Sequence, residues 1–188
     1  MEPEVHIIDK FFQEIEHCFT MTNVQCKGRK EIDLLAINPV SSKKFHVEAR
    51  IATSRSFALT YKDTRSKRGS HRIGLDYFQK EKFNHPAVVE RIKELFGDTN
   101  YDKILVVWTV KDTDAMGENF RANAYHEYGI HVYHIMDMIN LLKEKGTMRG
   151  SRDDVLRLIE LISLLDREQN EWVQKEIKRM KRAKTIKG

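Results

Sequence analysis

Two carboxylates stand in stretches of sequence that otherwise have the apolar pattern of β-strands. Asp33 lies within 32–37, and Glu48 lies within 45–51. Because burying a carboxylate without a partner is unfavourable, two of them on neighbouring strands fit a shared divalent cation. Arg50 leaves the same face of its strand as Glu48, since side chains two residues apart point the same way. Such a group can hold a metal, a water and a phosphate together. On spacing alone, an ion pair between a carboxylate and Arg50 on an exposed antiparallel face is the favoured explanation of the pattern.

The elements that must position these residues follow from the spacing of the apolar residues. Apolar residues at spacings of three and four predict an amphipathic helix over 4–19. Short apolar or alternating runs between turn residues predict strands. Glycines at 97, 129 and 146 end predicted helices. The predicted strands cover 24–26, 32–37, 45–51, 103–110 and 130–135, and the later helices cover 73–96 with an interruption at 85–86, 118–128, 137–145 and 151–182.

This order of elements predicts an α/β fold with a central mixed β-sheet flanked by helices. The early strands follow one another through short turns, which favours antiparallel pairing, whereas the later β-α-β unit requires a parallel crossover. Glycines near 146–151 separate a core domain, 1–150, from a long C-terminal helix with a basic tail, 151–188.

Length and composition exclude several classes of protein. The chain has 188 residues, of which 40% are hydrophobic and 32% charged, so a single domain with a real core is expected rather than a disordered chain. Two cysteines cannot build a disulfide scaffold, and the eight histidines show no paired metal-ligand spacing. No apolar run approaches the ~18 residues that cross a membrane, and the acidic start lacks a signal peptide's basic region. We therefore expect a cytoplasmic protein without a membrane partner.

The net charge of +5 is concentrated in two stretches. Residues 50–72 contain seven basic residues and one acidic residue, and residues 175–188 have the same balance, so each carries +6 and the rest carries −7. Concentrated positive charge is typical of a surface that binds a polyanion. The hydroxyl-bearing residues in 50–72 favour contacts with phosphates over readout of bases. A solvated loop and a basic tail without a partner are the alternative.

Two short motifs carry a resemblance to a known family. Residues 24–36 read VQCKGRKEIDLLA and residues 47–50 read VEAR, after a predicted helix and on either side of a hairpin-like turn at 41–44. This arrangement resembles the PD-(D/E)XK nuclease superfamily, which has the restriction-endonuclease-like fold, and is most similar to its archaeal Holliday-junction-resolvase branch. The resemblance covers residues 4–51, and the later β-α-β unit is compatible with the same fold.

The resemblance implies an endonuclease that hydrolyses phosphodiester bonds in nucleic acid, with DNA as the expected substrate. It implies Mg²⁺ as the cofactor, which Mn²⁺ can replace. Asp33 and Glu48 would then bind the metal together with the backbone carbonyl of Ala49. The lysine of the family's motif is Arg50 in this chain. Arg50 can stabilise charge on a phosphate, but a guanidinium group is a poor base.

A glutamate of the first helix often completes the site in this family. Of Glu4, Glu14 and Glu16, only Glu4 shares the apolar face of the predicted helix. Glu4 is therefore the candidate for a further catalytic carboxylate. A carboxylate that is simply favoured by the helix dipole at this end explains it as well.

Polar and basic residues near the proposed site are candidates for contacts with nucleic acid. Some belong to the turn before the Asp33 strand and others to the basic stretch 50–72, and a solvated turn is the alternative for the first group. They are Gln25, Lys27, Arg29, Lys30, Arg55, Lys62, Arg65, Lys67, Arg68 and Arg72.

Two other functions fit the sequence. Arg50 in place of the motif lysine also fits a catalytically inactive member of the fold that binds nucleic acid. The helix predicted over 151–182 has an apolar stripe, and its first part, 151–174, has a net charge of −3 ahead of the basic tail. Pairing between copies would be complementary in charge, so an assembly protein, or a homodimer formed through this helix, is the second alternative.

Overall fold

The computed structural model describes residues 2–51, 59–62, 64–65, 71–72, 74–108, 110, 118–145, 153–164 and 171. Side chains are not described at 64, 65, 71, 72 and 118. The first part of the fold comprises α1 (Pro3–Glu14), β1 (Phe19–Cys26), a 3₁₀ turn (Lys27–Arg29), β2 (Lys30–Ile37) and β3 (Lys44–Arg50). The short strands β4 (Thr64–Arg65) and β5 (His71–Arg72) follow, then α2 (Leu75–Tyr77), a π-helix (Phe78–Phe83), α3 (Pro86–Phe96), β6 (Asp102–Val107), α4 (Glu118–Tyr128), β7 (Ile130–His134) and α5 (Ile135–Glu144).

Five strands form one mixed sheet in the order β1-β2-β3-β6-β7, while β4 and β5 pair separately. The pairs β1–β2 and β2–β3 are antiparallel, and the pairs β3–β6 and β6–β7 are parallel. This arrangement confirms the predicted α/β class with a central mixed sheet flanked by helices. It follows from the connections, because short turns join the first three strands and helices join β6 to its parallel neighbours.

Helix α1 ends earlier than the apolar spacing predicts. Pro3 occupies the first helical turn, where its missing N–H costs nothing, and the helix stops at Glu14 rather than at 19. His17 has a left-handed φ of 53°, which turns the chain back into β1. Phe19, expected on the buried face of the helix, instead opens β1 with 71% of its surface exposed. The C-terminal end of the helix prediction is therefore wrong.

The helical segment after β5 has the interruption that the sequence predicts. His85 caps α3 by accepting a hydrogen bond of 3.3 Å from the Ala87 N–H, Pro86 lies in the first turn, and Gly97 ends the helix with a φ of 80°. Before this cap the chain forms the π-helix, which the sequence did not indicate. The bond from Asn84 N–H to the Gln79 carbonyl, 2.9 Å, has the five-residue spacing of a π-helix.

Apolar side chains from these helices cover the sheet on more than one side. Phe12 of α1 packs against Phe45 of β3 with ring centroids 5.3 Å apart. A separate cluster joins β1 and β2 to α3, and a further cluster joins the π-helix to β6, α4 and β7. The π-helix therefore packs against β6 and β7 through Phe78 and Phe83.

The chain divides into two compact units, Met1–Leu142 and Lys143–Gly188. This boundary falls earlier than the one predicted between 150 and 151. In the second unit, residues 154–164 are helical, and most of the remaining predicted helix 151–182 lies outside the described residues. No helix in the described part of the chain combines the length and the apolar composition that crossing a bilayer requires.

Candidate active site

The candidate site lies where the β2–β3 ladder ends. The last pair in the register is Leu34 with Val47, so Asp33 and Glu48 occupy the next position on each strand. The backbone N–H of Ala49 donates a hydrogen bond of 2.7 Å to Asp33 Oδ2. Both carboxylates singled out from the sequence therefore meet where the β2–β3 ladder ends, a place that we call the fork. The Asp33 side chain bridges the two strands there.

Asp33 is the more accessible of the two carboxylates, but it is still largely enclosed. Burial and then the charge of Glu48 raise the pKa of Asp33 to about 7, although the Ala49 N–H opposes this shift. Two carboxylates that face each other in a poorly hydrated place repel each other, and a cation between or beside them relieves the repulsion. The site is therefore built to receive positive charge.

Glu48 is completely buried, with 0% of its side chain exposed. Its Oε1 lies 2.9 Å from Nε2 of His46, which is buried to the same extent. Its Oε2 lies 2.5 Å from Nζ of Lys82, with which it forms an ion pair. Since the carboxylate of an ion pair only accepts hydrogen bonds, the His46 nitrogen is the donor.

Lys82 is the cation that contacts Glu48, and the sequence did not identify it. It projects from the π-helix, 25% of its side chain is exposed, and Nζ also donates to the backbone carbonyl of Glu31 at 3.3 Å. Burial opposes the charged form of Lys82, but the charges of Glu48 and Asp33 outweigh it and raise its pKa above the ordinary value. Lys82 is therefore an ammonium ion held over both carboxylates.

Arg50, expected to act beside Glu48, lies two residues after it in the same strand. It is the last residue of β3, and its side chain is exposed. The position beside the Glu48 carboxylate, where the motif lysine was expected, is filled by Lys82 from another part of the chain. The rule that residues two apart share a strand face does not predict which cation reaches Glu48, because that depends on tertiary packing.

His46 stands beside Glu48 on the same face of β3. Burial lowers the pKa of His46, although its bond to Glu48 acts in the opposite direction, so the ring is neutral near pH 7. Its centroid lies 4.7 Å from that of Phe83, edge to face, and 5.8 Å from that of Tyr101. None of the eight histidines has metal-ligand spacing. The sequence feature that could have identified His46 is its position two residues before Glu48 in an apolar strand.

An open cleft of about 640 Å³ gives access to Asp33 and Lys82. It lies beside the start of α1 and the β1–β2 pair. The carboxylate that α1 brings to this cleft is Glu2, which precedes the helix in an extended conformation, rather than Glu4 in the first turn. The lining residues are Glu2, Pro3, Val5, Asn23, Glu31, Asp33 and Lys82.

Asn23 is a further cleft residue that the sequence did not indicate. The neighbouring pairs of the β1–β2 register set Asn23 opposite Asp33. Its φ of 52° is left-handed, a conformation that asparagine tolerates better than most residues. Backbone strain of this kind clusters at functional sites, so Asn23 joins the candidate residues.

The candidates for nucleic-acid contact near the 3₁₀ turn lie on the surface around α3 and the π-helix. Lys27 Nζ lies 2.7 Å from Glu90 Oε1, and Lys30 Nζ lies 3.1 Å from Glu81 Oε2. Gln25 Nε2 donates to Glu31 Oε2 at 2.7 Å. An exposed ion pair contributes about 0–1 kcal/mol, so Lys27 can exchange its glutamate for a phosphate at little cost, while the pair of Lys30 is half-buried.

The remaining candidates are only partly described. The side chains of Arg29, with a left-handed φ of 60°, and Lys62 are exposed. Arg65 and Arg72 lie in β4 and β5, where only the backbone is described. Residues 55, 67 and 68, where Arg55, Lys67 and Arg68 were predicted to contact nucleic acid, lie outside the described residues.

The residues at the fork suit a cation site with few protein ligands. In the described ranges, no group of three or more His, Cys, Asp or Glu side chains is placed to hold a metal ion. The buried Oε2 of Glu48 contacts the Lys82 ammonium group, and the Asp33 carboxylate opens to the cleft. One or two carboxylates with several waters form the usual protein site for Mg²⁺. The chemistry of these donors therefore fits that ion.

No protein-family profile matches the sequence, and no curated protein matches it. The fold is similar to that of a solved structure described as the crystal structure of a protein of unknown function, AF1548. That protein is 15% identical, the match covers 86% of this chain and 77% of the other, and the TM-score is 0.47. The assignment to the α/β class rests on the strand order and strand pairing of this chain's own sheet.

Proposed function

We propose that this chain is a metal-dependent endonuclease that hydrolyses phosphodiester bonds in nucleic acid, with a restriction-endonuclease-like core. One observation carries the proposal. Asp33, Glu48 and Lys82 come from two strands and a π-helix and meet at one fork, with Asp33 and Lys82 open to a cleft of about 640 Å³. Two carboxylates and one ammonium ion are the side chains that the PD-(D/E)XK resemblance requires, although the cation is not at the motif position.

Asp33 and Glu48 would hold Mg²⁺, or Mn²⁺ in its place, together with the backbone carbonyl of Ala49. When bound, such an ion polarises the phosphate and lowers the pKa of a coordinated water. The raised pKa of Asp33 means that a proton and a cation compete for this carboxylate. Metal binding should therefore strengthen from about pH 6 to about pH 8.

Lys82 would supply the charge stabilisation that we first assigned to Arg50. Its ammonium group lies at the cleft and is already partly desolvated, so less reorganisation is needed when negative charge develops on a phosphate oxygen. Arg50 and the basic stretch 50–72 would instead bind the phosphates that flank the scissile one. An inactive member of the fold is the less favoured alternative, since its basis was the absence of a lysine beside the carboxylates.

The proposed substrate is DNA, and a nucleic-acid substrate agrees with the cytoplasmic location expected from the sequence. Lys27 and Lys30 lie in exposed or half-exposed ion pairs with glutamates of α3 and the π-helix, from which they can turn to a phosphate backbone. Contacts between lysines and phosphates give a binding affinity for DNA that falls steeply as the salt concentration rises. Such contacts do not by themselves select a DNA sequence.

The test is a cleavage assay on duplex, single-stranded, flap and four-way-junction DNA and on RNA, with Mg²⁺, Mn²⁺ or EDTA. We expect the parent chain to cut at least one DNA substrate only when the metal is present. Glu48→Gln should bind that substrate but not cut it, and the matched variant Glu94→Gln, at an exposed glutamate of α3, should cut like the parent. No cleavage by the parent, or equal cleavage by Glu48→Gln, contradicts the proposal.

An assembly role through the C-terminal unit is a second candidate function. Leu158, Leu161 and Ile162 lie at helical spacing in 154–164 and are about half exposed, at 57%, 51% and 49%. An apolar face of this kind favours pairing with a second copy. Sedimentation equilibrium tests it, because a dimer should become a monomer when Leu158 and Ile162 are both changed to Lys.

A further inference from the structure

We propose that His46 is a positioning residue that fixes both the Glu48 carboxylate and the π-helix that carries Lys82. The inference rests on the proposed function for its catalytic meaning, but its geometric content does not depend on cleavage. His46 would touch neither the substrate nor the reacting atoms. It would act through the two groups that do.

The first part of the argument is the contact with Glu48. Both side chains are completely buried, and Nε2 of His46 lies 2.9 Å from Oε1. A carboxylate in an apolar strand has free rotation about its last bonds unless a donor holds one of its oxygens. With Oε1 held by His46, Oε2 is directed to the fork, where it meets Lys82 Nζ.

The second part is the contact with the π-helix. The His46 ring packs edge to face on Phe83 at 4.7 Å, and Phe83 is the residue directly after Lys82. Two more bonds hold the same end of the helix: the Tyr101 hydroxyl donates to the Phe83 carbonyl at 3.3 Å, and Lys103 Nζ donates to Asn84 Oδ1 at 2.8 Å. His46 thus joins the carboxylate to the backbone that places the ammonium group.

A purely apolar role in the core does not account for this residue. An imidazole buried in this way leaves Nδ1 without a hydrogen-bond partner, a cost that a leucine or phenylalanine would avoid. The position is therefore suboptimal for packing alone. Outer residues that orient a metal-binding carboxylate typically affect metal affinity or activity by about 10- to 100-fold, and that benefit offsets the cost of the unpaired nitrogen.

The experiment compares His46→Gln with His46→Asn in the whole 188-residue chain. Both are buried amides, but only glutamine places its amide nitrogen near the position of the histidine Nε2. Three readouts are measured: Mn²⁺ affinity by calorimetry, the ¹⁵N resonance of the Lys82 ammonium group, and steady-state cleavage across a range of DNA concentrations. Circular dichroism confirms that each variant is folded, and His46→Leu serves as a third variant if the asparagine variant is not.

We expect His46→Asn to weaken Mn²⁺ binding about tenfold, to shift or broaden the Lys82 resonance, and to lower kcat about 10- to 100-fold with little change in KM. His46→Gln should recover most of each loss. If the asparagine, leucine and glutamine variants all match the parent in Mn²⁺ affinity and in the Lys82 resonance, the positioning role is wrong. If the parent itself does not cleave, the proposed function fails, while the Lys82 resonance still decides whether His46 positions the cluster.

Discussion

Replacing Asp33 with asparagine should stabilise the folded chain while it removes a proposed metal ligand. Burial and the charge of Glu48 raise the pKa of Asp33 from 3.8 to about 7, so the folded state binds a proton more tightly than the unfolded state. The ionised Asp33 carboxylate therefore destabilises the folded state. This destabilisation is absent below about pH 4, grows as the pH rises between the unfolded and folded pKa values, and is complete above about pH 7.

The magnitude follows from the size of the shift. A change of roughly three pKa units corresponds to about 4 kcal/mol at pH 8, since each unit is about 1.4 kcal/mol. The opposing effects of the Ala49 N–H and of Lys82 are already included in this net shift, but the asparagine amide adds an NH₂ group to a largely enclosed place, which subtracts about 1–2 kcal/mol. We expect Asp33→Asn to be about 2–3 kcal/mol more stable than the parent at pH 8, and about equal to it or less stable near pH 4.

The assay is urea unfolding of both proteins in EDTA across this pH range. Asp98→Asn is the matched control, because a hydrogen bond from Lys44 lowers the pKa of Asp98. The Asp98 carboxylate therefore adds stability above its unfolded pKa and loses it as the pH falls, so its removal should give no gain at pH 8. A second control adds Mg²⁺, which should stabilise the parent and not Asp33→Asn. A stability difference for Asp33→Asn that does not change with pH would refute this reasoning.

Three further predictions concern residues around the cleft. Asn23→Val should lower the free energy of unfolding by about 1–2 kcal/mol, because valine tolerates a left-handed φ poorly. Asn23→Gly should fold as well as the parent and still lose activity. Equal urea midpoints for both variants would contradict backbone strain at this position. In calorimetry, Glu2→Gln should weaken Mn²⁺ binding by about threefold to tenfold, and Glu4→Gln should leave it unchanged. Weaker Mn²⁺ binding by Glu4→Gln and not by Glu2→Gln would instead identify Glu4 as the carboxylate of the site. Changing Lys27 and Lys30 together to alanine should reduce the slope of log Kd against log salt by about 2 in an anisotropy titration, and an unchanged slope would mean that neither contacts a phosphate.

The sequence was informative where a residue conflicts with its own local pattern. Asp33 and Glu48 were predictable because each is a charge in a run of apolar strand residues, and the short turns between those strands imply that they are neighbours. The caps at Pro86 and Gly97 were predictable for the same local reason. These features need only propensity and periodicity.

The rest depended on contacts between distant parts of the chain. Lys82 lies in the polar run 79–82, where nothing distinguishes it from Lys80, and a π-helix has no periodicity that a sequence pattern shows. Arg50 was assigned by its spacing from Glu48, which fixes a strand face but not the partner that packs on it. Glu2 was missed because only residues within the predicted helix were considered, and the cleft begins just before that helix.

The most direct measurement compares single-turnover DNA cleavage by the parent, Lys82→Gln and Arg50→Gln in saturating Mg²⁺. All three are assayed at a temperature where circular dichroism shows them folded. If Lys82 supplies the cation of the active site, Lys82→Gln should lower the rate by at least about 100-fold, and Arg50→Gln by less than about tenfold. A larger loss for Arg50→Gln than for Lys82→Gln, with both proteins folded, would contradict the proposed site.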